Sequence, residues 1–426
     1  MNQKNILVMA TLDTKGEAVE LLSEYIRNRG HNPILIDMST RKEPTIKADI
    51  SAEEVAIAGG GTAADTRGET LERAKRRDIM VRGAIKITRS LIESGKIDGL
   101  IGIGGVSNVA MASDVCQNLP FGFPKLLLGS GAGMGKYNFI GRSDIALFES
   151  VADTDTMSVF LKNSIARAAH MICGAVESGA RLGSIEIEEL RKAGTRVIAL
   201  THLSVDDCVD HLMHILKERG NYEVMNFQAT GIGDMVMEDL IDGGVVFDAV
   251  LDLCVAGLSE YLTGGNRAAG PTRLEAAGKK GIPQIVTPTA LDYISCGPLS
   301  RKDSADPLWE KRKLKDRKIW AMDEYRILAK ISSEEAVEIA KAVAEKLNRA
   351  KGPVKFLVPL QGWNIPNRPG GGLYQPDVDK LLIDTLKHEV DTRVVEVREY
   401  DLYMNSFEFA KVIADTMEEL LNKARA

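Results

Sequence analysis

At 426 residues, 44% hydrophobic and 27% charged, the chain has a soluble globular composition and more length than one core fills, so two domains are expected. Its net charge of −6 is mild and no basic tract is interleaved with aromatics, which argues against nucleic-acid binding; no apolar run is long enough to span a bilayer. The opening MNQKNILVMATLD reads as a first strand and not a leader, and Cys116, Cys173, Cys208, Cys254 and Cys296 lack CxxC spacing, as expected of reduced thiols in a cytoplasmic protein.

Residues 5–9 (NILVM) are a continuous apolar run, as expected of a parallel strand covered on both faces. TLDTKG follows at 11–16, then a helix over 17–29 with Val19, Leu22 and Ile26 on one side, then a strand over 33–37. Such a β-α-β unit crosses over right-handedly and binds ligands in its strand-to-helix loop. Thr11, Asp13 and Lys15 stand there. Lys15 reads as a phosphate contact and Asp13 as a hydroxyl or metal contact, although a helix cap by Thr14 or Asp13 accounts for the same residues. Residues 39–66 make a long polar, glycine-rich connection of the kind that tends to be functional or mobile. In the charged helical region over 69–94, Glu72, Arg73, Lys75, Arg76 and Arg77 read as a solvated face. Arg67, at its entry, is the better ligand contact.

The stretch at 98–108, DGLIGIGGVSN, organises the N-terminal half. A buried strand over 100–103 runs into Gly102, Gly104 and Gly105, and a helix begins near Ser107. Backbone N–H groups at such a junction can approach an anion, with Ser107 and Asn108 as side-chain donors; a tight structural turn is the alternative. A strand over 125–128 leads to a second glycine turn, GSGAGMGK, where Gly131 and Gly133 add donors and Lys136 complements a phosphate. Asp144 reads as a metal or ribose contact, or as a turn cap. A helix over about 155–178, rich in Ala and Gly, closes the domain and suits close packing against a neighbour.

The same grammar restarts at 196–200 (RVIAL), which puts the boundary near 183–194 and gives domains 1–185 and 186–426. Further strands are expected over 222–227, 247–253, 283–286, 354–358 and 393–397. The expected fold class is therefore α/β, with mainly parallel sheets in both domains and a ligand crevice between them. Thr201, His202, Thr230, Gly231, Asp252 and Thr287 stand at strand ends, and Arg273 adds a cation. His202 is a candidate general base or metal ligand, or a hydrogen-bonded wall residue; Asp252 is the other catalytic candidate. His211 and His214, with Asp210, are a weak metal pattern. Residues 359–374, with Trp363, Asn364 and Arg368, read as a lid, an interface loop or a flexible surface loop. No GxSxG, HExxH or full Walker sequence is present.

Several stretches together carry a resemblance: ATLDTKGE, TRGE at 66–69, ATGIGDMVME at 229–238, AVLDL at 249–253, AGPTRLEAAGKKGIPQIVTPTALD at 269–292 and KLNRAKGPVKFLVPLQG at 346–362. Over essentially its whole length the chain resembles the uncharacterised bacterial family similar to the N-terminal inhibitory domain of the tomato mosaic virus resistance protein, whose bacterial members are labelled ATP-binding. The resemblance implies two Rossmann-like domains, nucleotide in the N-terminal one, and dimers or higher homo-oligomers; no settled activity comes with it. The chain departs from the family where relatives continue the first glycine turn as Ser-Gly-Gly-Thr. Here those places are Val106, Ser107, Asn108 and Val109. Glu260 keeps an acid where relatives carry one, after a Thr-Thr-Glu run replaced by Val255, Ala256 and Gly257.

The resulting expectation is a cytoplasmic protein binding ATP, or a related phosphorylated ligand, as an enzyme of small-molecule metabolism. Thr11, Asp13, Lys15, Arg67, Gly104, Gly105, Ser107, Asn108, Gly131, Gly133 and Lys136 would hold the ligand. Mg²⁺ would sit on Asp13 or Asp144, and a second substrate on Thr230, Gly231 and Arg273. The alternatives are a non-catalytic metabolite sensor, and a nucleotide-independent hydrolase or lyase using His202.

Overall fold

The computed structural model describes residues 2–67, 71–130, 136–150, 152–154, 156–179 and 183–423. The chain divides into two units, Met1–Glu186 and Ile187–Ala426.

In the first unit the apolar runs become strands and the amphipathic segments between them helices. The order is β1 (Asn5–Ala10), α1 (Leu12–Asn28), β2 (Asn32–Asp37), α2 (Ala52–Ala58), α3 (Ala63–Arg67) and α4 (Arg73–Glu93). Then come β3 (Gly99–Gly104), α5 (Val106–Cys116), β4 (Lys125–Gly129), α6 (Lys136–Ile140), β5 (Ala146–Glu149) and α7 (Val159–Glu177). The strands form one parallel sheet in the order β2-β1-β3-β4-β5. Alternate residues of β1 face opposite layers, as the strand period requires. Ile6 and Val8 pack with Val19, Leu22 and Ile26 of α1 and Leu161, Ile165 and Ile172 of α7. Leu7 and Met9 pack with Val55 of α2, Met80 and Ala84 of α4, and Val109 and Val115 of α5.

Helix α8 (Gly183–Lys192) spans the division. The second unit continues with β6 (Arg196–His202), α9 (Asp206–Arg219), β7 (Tyr222–Gln228), α10 (Gly233–Asp242), β8 (Ala249–Asp252), α11 (Ala256–Thr263), α12 (Ala276–Lys280) and β9 (Gln284–Val286). An insertion follows: β10 (Tyr293–Ser295), α13 (Pro307–Lys311), β11 (Ile319–Ala321) and β12 (Ile327–Lys330). The unit closes with α14 (Ser333–Leu347), β13 (Val354–Pro359), α15 (Pro376–Glu389), β14 (Val395–Tyr400) and α16 (Phe407–Lys423). Its main sheet is parallel in the order β14-β13-β9-β8-β6-β7, and β10-β12-β11 form a separate antiparallel sheet. The α/β expectation of mainly parallel sheets in two domains is met.

Three local expectations are corrected. Helix α1 begins at Leu12 rather than at residue 17, so Asp13 and Lys15 are buried in its first turn and not displayed on a loop. The 39–66 connection contains α2 and most of α3; α2 is started by a Ser51–Glu54 capping box. Residues 359–374 are no flexible surface loop. Trp363, Asn364, Asn367 and Leu373 are buried, Asn364 Nδ2 donates to Asp292 Oδ1 at 2.9 Å, and Leu373 N donates to Pro366 O at 2.9 Å.

Candidate functional site

In a sheet of order 2-1-3-4-5, chain connections leave β1 and β3 in opposite directions, and a crevice opens at their carboxyl ends. In the first unit β1 ends at Ala10 and Thr11 caps α1. Strand β3 ends at Gly104, and Gly105 caps α5. Asn108 joins the two ends: its Nδ2 donates to Thr11 Oγ1 at 2.7 Å. Gly104 makes this possible. It has φ +154°, and a Cβ there would lie 2.6 Å from Asn108 Cβ, so only glycine lets the asparagine cross.

Helix α5 is eleven residues long and no side chain caps its N-terminus. Its first N–H groups therefore carry the partial positive charge of an uncapped helix end. Two side chains add donors. Arg73 Nη2 donates to Ser107 Oγ at 3.2 Å. Thr154 is 3% exposed, its Oγ1 has no hydrogen-bond partner, and a Cβ on Gly105 would lie 3.9 Å from that oxygen. Hydroxyl, guanidinium and backbone N–H groups thus meet at one helix end.

The other expected contacts divide. Thr11 and Ser107 are in the site. Asp13 stands beside it, its Oδ2 accepting from Lys42 N at 3.2 Å and its own N–H donating to Ser39 Oγ at 3.0 Å. Lys15 is buried in the same turn. Arg67 ends α3 instead of opening a helix, and it pairs with Glu43. Gly131, Gly133 and the side chain of Lys136 lie outside the described residues. Asp144 is at the wrong edge for the metal role. It precedes β5 and pairs at 2.5 Å with Lys125, the first residue of β4, while its Oδ2 accepts from Gly122 N. Among the described residues no group of three or more His, Cys, Asp and Glu is placed to hold a metal ion.

The second unit reverses direction at the same topological place, between β6 and β8, and fills it with its own charges. Arg273 is wholly buried and all five of its N–H donors are used. Nε reaches Asp234 Oδ2 at 3.0 Å. Nη1 reaches Glu238 Oε1 at 3.0 Å and Asp252 Oδ2 at 2.7 Å. Nη2 reaches Asp252 Oδ1 at 2.5 Å and Cys254 O at 3.1 Å. Thr201 Oγ1 donates to Asp252 Oδ1 at 2.5 Å. Burial pushes the Asp234 and Glu238 carboxyls up, against the pull of Arg273. Arg273 is thereby left with no donor for a substrate, and Asp252 is an ion-pair partner inside the fold. Gly231 N–H donates to Asp234 Oδ1 at 2.9 Å, and Thr230 stands beside it.

His202 ends β6 with Nδ1 3.5 Å from Asp206 Oδ1; burial lowers its pKa, opposed by Asp206 and Asp210, which suits a neutral imidazole. His211 packs edge-on against Phe407, and His214 faces Glu218 at 3.3 Å. All five cysteines are free and buried, and burial pushes the Cys254 thiol up to about 12, far from a nucleophilic thiolate. Sequence reasoning missed Arg73, read as solvated, and Thr154, which no motif marks.

Two family profiles match the chain: the N-terminal domain of an uncharacterised protein family (UPF0261) over residues 4–181, and its C-terminal domain over 195–421. A UPF0261 protein of Clostridium tetani is 31% identical over 424 residues, covering 99% of this chain and 100% of that one. A UPF0261 protein of Brucella melitensis is 29% identical over 420 residues, covering 96% and 94%. The ToMV resistance protein Tm-1(GCR237) of Solanum lycopersicum is 28% identical over 450 residues; the match covers 100% of this chain and 57% of the tomato protein.

Proposed function

This chain belongs to the uncharacterised protein family UPF0261, and we propose that its N-terminal unit binds ATP or a related phosphorylated ligand at the start of α5. The observation that carries this reading is the uncapped helix end flanked by Arg73 and the orphaned Thr154 hydroxyl. Buried hydroxyls seldom go without a partner, and a phosphate oxygen supplies one. The contrast with the second unit supports the same assignment. There, an added Cβ on Gly257 of α11 would lie 2.4 Å from Asp234 Oδ2, so a carboxylate of the protein itself already stands by the helix start. That helix start is thus occupied by the Asp234–Arg273 ion pair, whereas no side chain of the protein caps α5.

Magnesium typically reaches such sites on the phosphates, with one or two carboxylates and several waters. Asp13, at the same sheet edge, is the carboxylate available to it. Calorimetric titration of Mg-ATP into the full chain tests the proposal. The expected result is a Kd at or below ~1 mM, equivalent to at least ~4 kcal/mol. Asn108→Asp puts a negative charge in the cradle and removes the donor to Thr11; Arg73→Ala removes an exposed cation without touching the core. Both are expected to weaken binding tenfold or more. Absence of binding, or wild-type affinity in both variants, would overturn the assignment.

A further inference from the structure

With Arg273 committed, another arginine of the second unit has a buried donor left over. After α11 the chain folds back along the helix: Gly265 N donates to Glu260 O at 2.9 Å and Ala269 N to Gly257 O at 3.0 Å. This carries Arg267 onto the turn after β7, where a Cβ on Gly231 would lie 2.6 Å from Arg267 O. Arg267 Nη1 is buried and has no hydrogen-bond partner. Tyr293 is 0% exposed, and its phenol oxygen also has none. Its ring lies in a cluster with Ala229, Cys254, Ala256, Ala290 and Leu328, small or apolar groups that follow β7, β8 and β9 or sit on the insertion. Asn266 N donates to Ser295 O at 2.8 Å, so Arg267 stands beside β10, the strand that carries Tyr293, and its charge favours the ionised form of Tyr293 and of Glu260 alike. Glu260 is itself held by Ser295 N–H at 2.9 Å.

We propose that Arg267 and Tyr293 form a second ligand site, in the C-terminal unit, that takes a small monocarboxylate. A guanidinium N–H and a phenol O–H, both buried and both unsatisfied, are a matched donor pair for the two oxygens of one carboxylate. Leaving either unpaired is costly, and a ligand that accepts from both removes the cost. The surroundings set the charge and size of the ligand. Asp292, buried immediately before Tyr293, and Glu260, held by Ser295 two residues after it, put two carboxyls beside that tyrosine, so a doubly charged phosphate is disfavoured and a single charge tolerated. The alanines and Leu328 offer apolar contact to a short carbon skeleton, not to a nucleotide.

The test uses the full-length chain, titrated calorimetrically with acetate, pyruvate and lactate, and with inorganic phosphate as the contrasting anion. Saturable binding of at least one carboxylate is expected, tenfold or more weaker in Tyr293→Phe and in Arg267→Gln, and unchanged in Arg73→Ala. Phosphate is expected to bind this site at least tenfold more weakly than that carboxylate. The ligand-free Tyr293→Phe variant is expected to melt no lower than wild type, because its hydroxyl makes no bond within the protein. The proposal is overturned if no carboxylate binds, if Tyr293→Phe binds as wild type does, or if that variant melts clearly lower without ligand. Because Arg73→Ala separates the two sites, failure here leaves the N-terminal assignment standing, and the reverse holds.

Discussion

Arg273 shows how much a single buried charge can hold. Three carboxylates converge on it, and none of the four groups is more than 5% exposed. Removing one partner from a buried ionic network leaves the others uncompensated, at roughly 3–5 kcal/mol. Arg273→Leu is therefore expected to lower stability by about that much in denaturant titration, and the deficit should shrink as pH is lowered, because burial already pushes the Asp234 and Glu238 carboxyls up toward the protonated form. A loss under ~1 kcal/mol would show the network to be dispensable. Glu260 gives a pH signature of its own. Burial pushes its carboxyl up to about 7 from the 4.5 usual for a glutamate. The native state thus holds a proton that the unfolded chain has released, and this contribution to stability is present below pH 4.5 and lost as pH rises through 7. Glu177 runs the other way: Arg29 and His31 hold it down to about 2, so its contribution is lost only as pH falls from 4.5 toward 2. Melting temperature should decline between pH 5 and 7.5, and Glu260→Gln should flatten that decline while still accepting from Ser295 N–H. An unchanged slope would assign the titration elsewhere. At this scale the sequence misleads on Arg273, because nothing in its spacing tells that Asp234, Glu238 and Asp252 turn toward it.

Between residues and units, glycine decides how closely a helix approaches its sheet. A Cβ on Gly102 in β3 would lie 2.5 Å from Ala112 Cβ of α5 and 2.9 Å from Leu127 Cδ2 of β4. Gly102→Ala is expected to push α5 away at a cost of roughly 1–3 kcal/mol, and to weaken Mg-ATP binding as the helix end shifts. Full stability in that variant would mean that the layer repacks freely. Elements were largely legible from the chain because parallel strands buried on both faces read as unbroken apolar runs, NILVM in β1 and VKFLV in β13. The antiparallel sheet was not, since β10 and β11 are three residues long and carry no period. The Ser51-x-x-Glu54 box that starts α2 was present in the sequence but lay inside a stretch whose glycines suggested a loop. For the candidate site, the glycine turn of β3 could be read directly, whereas Thr154 comes from the far side of β5 and only the fold brings it to Gly105.

Across the whole molecule, one topology is used twice with opposite electrostatic outcomes. Each unit has its own parallel sheet and its own buried clusters on both faces of it. Each reverses strand order at its first strand; the N-terminal crevice presents an uncapped helix end, and the C-terminal one an internally neutralised arginine. Ligand binding to one unit should then stabilise that unit selectively. At a hundredfold excess over Kd, Mg-ATP adds about 2.7 kcal/mol to the species that binds it, which in a unit of this size amounts to roughly 5–10 °C. Scanning calorimetry is expected to resolve two transitions, one of which falls in Gly102→Ala and rises with Mg-ATP. If nucleotide raises the other transition, the phosphate site is in the wrong unit. If a single transition moves as a whole, the two units unfold as one cooperative body. Since Gly102 lies in the core of the N-terminal unit and touches no residue of the Arg273 network, the transition it lowers identifies that unit without reference to any ligand.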